Sequence, residues 1–272
     1  MSYHGLIAAL ATQHGKEKAI TPPLAAMTGL AVTVPQGIDT DALGTFTGET
    51  PRLASMRETL RTKAQLGMEA TGLPIGIASE GSFGPHPFVP FLAGGVEMIV
   101  FIDHTRGIEV VEQAVSENTN FASLWITQCA DVDGFLARIG FPEHAVVLRS
   151  SDHIIKGINS RGELDHLLRH CGEGARIETD MRAHLNPTRM TEIGKLAEKL
   201  ASRIATPCPA CSTPAFGTLR HEAGLRCEDC GAPTQLVRSI VKGCALCRHE
   251  EHLPRTDGRT FATAAECPEC NP

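Results

Sequence analysis

The stretch Pro74-Ile-Gly-Ile-Ala-Ser-Glu-Gly-Ser-Phe-Gly-Pro-His-Pro-Phe88 sets the terms for the whole chain. An apolar run from Ile75 to Ala78 stops at an acid, Glu80, and is followed by glycine, proline and one histidine, His86. Such a run, bounded by turn residues, reads as a buried strand, Ile75–Ser79. A carboxylate at the tip of a buried strand is costly unless it holds something. In open α/β sheets ligands sit outside the carboxyl ends of strands, which makes Glu80, with Ser82 and His86 after it, a candidate for a pocket.

The same reading extends outward. Further strands are expected at Leu6–Ala11, Ala31–Val34, Met98–Ile102, Ile108–Val115, Leu124–Thr127, Ala145–Leu148 and Ala175–Glu178. Helices are expected at Pro51–Ala70, Ala130–Ile139, Arg161–Cys171 and Pro187–Ile204. In the first helix Leu53, Met56, Leu60, Ala64 and Gly67 recur at spacings of three and four, one stripe for a sheet to cover. Strands alternating with helices give an α/β fold with a mixed, mostly parallel sheet and helices on its faces. That domain is expected to span residues 1–206.

Two other polar groupings fall where strands end. Thr12, His14, Lys16 and Lys18 crowd a turn with Gly15 after the first strand. Backbone N–H groups and a lysine in such a turn can cradle a phosphate, although the Walker order of residues is missing. Near the last helix, Asn186-Pro187 is a strong start signal, asparagine as cap and proline in the first turn. Arg189 then opposes the helix dipole, which makes better sense with an anion beside it. Asp180, Arg182 and His184 precede that start and complete a second polar group. In the front segment His14, His86, His153 and His184 show neither His-x-Glu nor His-Glu-x-x-His spacing, so a catalytic zinc motif is not evident there.

Residues 207–272 have a different character. Eight of the ten cysteines form four Cys-x-x-Cys pairs: Cys208/Cys211, Cys227/Cys230, Cys244/Cys247 and Cys267/Cys270. Gaps of 15 residues between Cys211 and Cys227, and 19 between Cys247 and Cys267, match the two-knuckle zinc pattern. Tetrahedral Zn²⁺ takes four thiolates, so the tail is expected to be a zinc-ribbon-like module with two structural ions. Sequential pairing, first with second and third with fourth, is favoured over a cross-braced one. Gly217–Cys227 and Val237–Gly243 read as short hairpin strands. Cys129 and Cys171 stand alone and are expected to be buried apolar fillers.

Composition narrows the partners. The chain of 272 residues is 42% hydrophobic with a net charge of −6 and only 4% aromatic residues. From Pro207 onward one lysine and six arginines face eight carboxylates. Duplex binding needs phosphate neutralisation and single-strand binding needs stacking rings, so nucleic acid is a poor partner. A protein partner docking through the tail fits better. No apolar run nears the roughly 20 residues of a membrane span, and the first residues lack a signal-peptide pattern. A cytoplasmic location is the expectation.

Three motifs in order carry a resemblance. Thr12-Gln-His-Gly-Lys16, then Glu58-Thr-Leu-Arg-Thr-Lys-Ala64, then the strand ending in Glu80-Gly81, look like the phosphate turn, acidic helix and acid-glycine strand of inosine triphosphate pyrophosphatase-like proteins. The likeness covers residues 6–84. It implies a hydrolase acting on a nucleotide or other phosphoester, with Lys16 on phosphate, Glu58 holding Mg²⁺, and Glu80 holding Mg²⁺ or activating water. Two departures stand out. Ala78-Ser79 precede a single acid, and Lys63 lies about 140° around the helix from Glu58. The whole-chain layout also resembles an uncharacterised bacterial family of unknown function with a cysteine-rich tail. A non-catalytic protein that binds an anionic metabolite is the alternative.

Overall fold

The protein, described by a computed structural model at residues 3–38, 54–151, 153–172 and 174–272, has two compact units, Tyr3–Ala201 and Ser202–Pro272. In the first, five strands make a sheet of order β2-β1-β3-β4-β5: β1 Ile7–Ala11, β2 Ala31–Thr33, β3 Ile75–Pro85, β4 Ala93–Asp103 and β5 Ile108–Ser116. Parallel pairing is confined to β2-β1-β3, and β3, β4 and β5 are antiparallel neighbours. The fold is therefore mixed α/β.

A helix the sequence pattern did not reveal, α1 Glu17–Thr28, joins β1 to β2. It carries Pro22 and Pro23 inside it, residues that normally end a helix. α2, Met56–Thr71, leads into β3. The expected start of that helix at Pro51 and its Leu53 lie outside the described residues. Ser55 and Glu58 form a reciprocal capping box at its first turn, and Gly72 ends it in the left-handed conformation.

β3 is the strand on which the site is built. Its alternation gives Gly76, Ala78 and Glu80 to the α2 face, where Leu60, Ala64 and Met68 pack with Ala78, Val100 and Ile102. Ser79 and Gly81 fall on the opposite face, which α5, Pro187–Ala205, approaches with Arg189. α1 lies beside α5 there: a Cβ on Gly194 would be 4.0 Å from Ala19. The strand does not stop at Ser79 as expected. It continues for six residues more, with Glu80 opposite Met98 and Gly81 opposite Glu97. Glu80 is thus a mid-strand residue rather than a strand tip.

A second, four-stranded sheet of order β6-β9-β7-β8 completes this unit: β6 Ser123–Trp125, β7 Val146–Arg149, β8 Ile154–Ile158 and β9 Arg176–Thr179. Helices α3, Val132–Ile139, and α4, Arg161–Leu168, cover one face through Phe135, Leu136, Ile139 and Leu164. Asn186, fully buried, ties this sheet's exit to α5: its Oδ1 accepts the Arg189 N–H at 3.0 Å while its Nδ2 donates to Asn120 and to the Asp180 carbonyl.

The second unit is a three-stranded antiparallel meander, β10 Gly217–Ala223, β11 Val237–Gly243 and β12 Glu250–Pro254. Among the described residues no helix is long and apolar enough to cross a membrane.

Candidate functional sites

Buried charge gathers around β3. Glu80 meets the Lys63 ammonium at 2.6 Å on the α2 face, both side chains being at least nine-tenths buried. Across the sheet, Glu97 receives the Arg189 Nε–H at 2.6 Å, and the same guanidinium donates to the Met181 carbonyl. Gly81 is what makes room for this pair. A Cβ there would lie 2.5 Å from Glu97 Oε1 and 2.6 Å from Arg189 Nη2. The glycine of the Glu80-Gly81 dipeptide is therefore a packing requirement: one residue presents a carboxylate to one face and the next clears space on the other.

Lys16 occupies the gap left where β1 ends. β1 pairs with β3 only as far as Ala11 opposite Ala78. One residue further along β3, the Ser79 carbonyl accepts a 2.9 Å hydrogen bond from Lys16 Nζ instead of a strand N–H. Lys16 is buried, and among the described residues no carboxylate forms an ion pair with it. Burial, and then the neighbouring Arg189, push its pKa down to about 8 from the usual lysine value. Three buried cations, Lys16, Lys63 and Arg189, thus face two buried carboxylates, Glu80 and Glu97. The Ser79 hydroxyl, also buried, has no hydrogen-bond partner among the described residues.

The turn before Lys16 opens onto a cleft of about 650 Å³ lined by Thr12, Gln13, Gly15, Glu17 and the segment Val34–Ile38 at the end of β2. Gly15 is left-handed (φ 67°) and Lys16 right-handed, a pair of conformations that turns successive N–H groups into one concavity. The Thr12 hydroxyl accepts the His14 N–H at 3.3 Å, which shapes the turn. The His14 ring stacks on His184, centroids 5.2 Å apart, so the turn meets the segment between β9 and α5. There Asp180 accepts the Arg182 guanidinium at 2.7 Å and the Gly157 N–H at 3.1 Å. Glu178 pairs with Arg149 and Arg176. β9 stops at Thr179, so Glu178 lies on the strand while Asp180 and Arg182 lie beyond its end.

Of the residues singled out in the sequence, Lys16, Glu80 and Arg189 belong to the buried cluster, and Thr12, His14, Asp180, Arg182 and His184 lie at the turns around it. Glu58 does not join them. It is exposed and spent on the α2 cap, where hydrogen bonds from Ser55 hold its carboxyl below the usual range. Ser82 is exposed, and His86 is buried at the base of the β3–β4 turn, its Nδ1 accepting the Phe88 N–H. Sequence reasoning passed over Glu97 and read Lys63 only as a departure from a motif. An acid directly before the apolar run Met98–Ile102 was the available signal for Glu97.

The cysteines form two sets of four, Cys208, Cys211, Cys244, Cys247 and Cys227, Cys230, Cys267, Cys270. This corrects the sequential pairing favoured from spacing: the first pair joins the third and the second joins the fourth. The meander dictates it. The first knuckle precedes β10 and the third follows β11, at one end of the sheet; the second lies between β10 and β11 and the fourth follows β12, at the other. Sulfur separations of 3.6 and 3.7 Å in one set, and 3.6 and 3.9 Å in the other, suit a tetrahedral ion, whose thiolates at a Zn–S distance of about 2.3 Å stand about 3.8 Å apart. Each set could hold one zinc ion. Among the described residues these are the two groups of three or more His, Cys, Asp or Glu close enough to do so. Cys129 is exposed and Cys171 half-buried, so neither is the buried filler expected.

A family's sequence model matches residues 63–272 and takes in both knuckle sets together with Lys63, Glu80, Glu97 and Arg189. The chain belongs to the family described as Domain of unknown function (DUF6671). No curated protein is similar to it. The DUF6671 match therefore spans the two ion pairs and the cysteine meander, and Lys16 lies ahead of it.

Two outcomes follow. Replacing Cys208 with serine frees thiols within its own set, so mild alkylation read by peptide mass should label Cys211, Cys244 and Cys247 first; labelling of Cys227 and Cys230 instead would restore sequential pairing. For Lys16, the folded pKa of about 8 lies below the unfolded value of about 10.4, so the unfolded chain binds more protons between those limits. The Lys16 contribution to stability should accordingly rise by about 2–3 kcal/mol between pH 8 and 10.5. That rise should vanish in Lys16→Met, which should be no less stable than the parent at pH 7, as read by urea unfolding.

Proposed function

We propose that the front unit binds a small phosphate-bearing metabolite in the cleft beside the Thr12–Lys16 turn, and that the cysteine unit is a structural module holding two zinc ions. The observation that carries the first part is the uncompensated cation. Lys16 is buried with a single carbonyl for a partner, next to two saturated ion pairs, at the carboxyl ends of parallel strands. Burying an ammonium this way costs stability, and a strongly shifted buried group beside a cleft marks a candidate functional site. The cleft volume falls in the range of sites for small metabolites. An arriving anion would offset the cationic excess.

Magnesium-dependent hydrolysis draws less support. It needs carboxylates available to a hard cation, and Glu80 is engaged by Lys63 while Glu58 caps a helix away from the cluster. Four-thiolate zinc sites leave no open coordination position, which favours a structural role for both ions.

The test is a thermal-shift and calorimetric panel on the full chain: inorganic phosphate, nucleoside mono-, di- and triphosphates and phosphorylated sugars, each with and without Mg²⁺, with product analysis alongside. At least one phosphate ester should raise the melting temperature of the parent and leave folded Lys16→Met unmoved, without turnover. Absence of binding across the panel overturns the anion site, and Mg²⁺-dependent turnover lost in Glu80→Gln would reinstate the hydrolase.

A further inference from the structure

The stacked histidines are where the anion site acquires a second property. His14 comes from the β1–α1 turn and His184 from the short helical turn Ala183–Leu185 ahead of α5, and their rings lie 5.2 Å apart with planes inclined by 24°. They stand beside the turn that lines the cleft: a Cβ on Gly15, one of the lining residues, would be 3.6 Å from the His184 Cβ.

The charges bearing on this pair come from each neighbouring element. α1 contributes Lys18 and, in its first turn, Glu17; the β9–α5 segment contributes Arg182 and Asp180; Lys16 lies two residues from His14. Asp180 is already committed to Arg182, at 2.7 and 3.0 Å, and to the Gly157 N–H. Of these residues Glu17 is the other acid, in the first turn of α1 and 3.9 Å from the Gly15 Cβ position. Partial burial, then the neighbouring His14 and Arg182, hold the His184 pKa below its ordinary value, so protonating His184 is disfavoured in the empty protein. A doubly charged anion reverses that balance: two imidazolium rings, each with N–H donors, and an adjacent lysine are complementary to it.

We infer that the His14–His184 pair, with Lys18, seats the dianionic group of the ligand, a phosphate monoester, and does so in its protonated state, so that binding takes up protons. This rests on the reading of the front unit as an anion-binding domain. It makes the pair a pH-dependent specificity element. Dianions are preferred over carboxylates, and release is favoured as the pH rises.

Sulfate is the discriminating probe because it stays a dianion throughout the range in which histidine titrates, whereas phosphate does not. Calorimetric titration of the full chain with sulfate, in buffers of different ionisation enthalpy, should show uptake of about one proton per ion near pH 7. Affinity should be at least about tenfold weaker at pH 8 than at pH 6. His14→Asn and His184→Asn should each reduce the uptake and the double variant should abolish it, with melting temperature and circular dichroism confirming the fold. Sulfate binding without proton uptake, or uptake that persists in the double variant, overturns this inference and leaves the anion site standing. Failure of sulfate, phosphate and every ester to bind at any pH overturns both.

Discussion

A carboxylate buried on each face of one sheet must be neutralised where it stands, and this requirement organises the front unit. Glu80 beneath α2 and Glu97 beneath α5 sit on adjacent strands but point to opposite sides. Each therefore needs its own cation, delivered by a different helix: Lys63 from α2 and Arg189 from the first turn of α5. The Arg189 position opposes the helix dipole, and the Glu97 carboxylate supplies the compensation. The Asn186 cap fixes where α5 begins and so where that guanidinium lands. Removing one member of such a pair strands the other charge in the interior, at a cost of about 3–5 kcal/mol, while replacing both by apolar groups can be neutral. Lys16 departs from this pattern, since its charge is met by a carbonyl alone, and that asymmetry separates the candidate ligand site from the scaffold around it.

The cysteine unit obeys a topological constraint of the same simplicity. Four knuckles separated by three antiparallel strands alternate between the two ends of a sheet, so odd knuckles meet odd and even meet even. Each zinc ion would then clamp both β10 and β11 boundaries at one end of the meander. A small three-stranded sheet with few buried apolar side chains depends on such clamps for its stability.

Much of this was legible in the residues. The zinc ligands follow from spacing alone, and β1, β5, α2, α3 and α5 follow from periodicity and caps. The misses have physical causes. The pairing of knuckles was misjudged even though two of the strands between them were readable, because spacing within a pair of knuckles says nothing about which end of a sheet each occupies. α1 was hidden by Pro22-Pro23, a signal that a tertiary context of buried Ile20 and Leu24 overrides. The continuation of β3 past Ser79 was obscured by Glu80 and the glycines, which look like a strand's end when their partners, Lys63, Glu97 and Arg189, are remote in sequence. Glu58 looked like a ligand to metal, but the Ser-x-x-Glu spacing with Ser55 is equally the signature of a helix cap, and the local interaction won.

The central claim is that these two carboxylates are held by buried, mutually dependent ion pairs. A double-mutant cycle on Arg189 and Glu97, followed by urea unfolding at pH 7, addresses it most directly. Arg189→Met should destabilise the protein by about 3–5 kcal/mol, and the double variant with Glu97→Met should recover most of that loss. Additive effects of the two single changes, or an Arg189→Met protein as stable as the parent, would contradict the account.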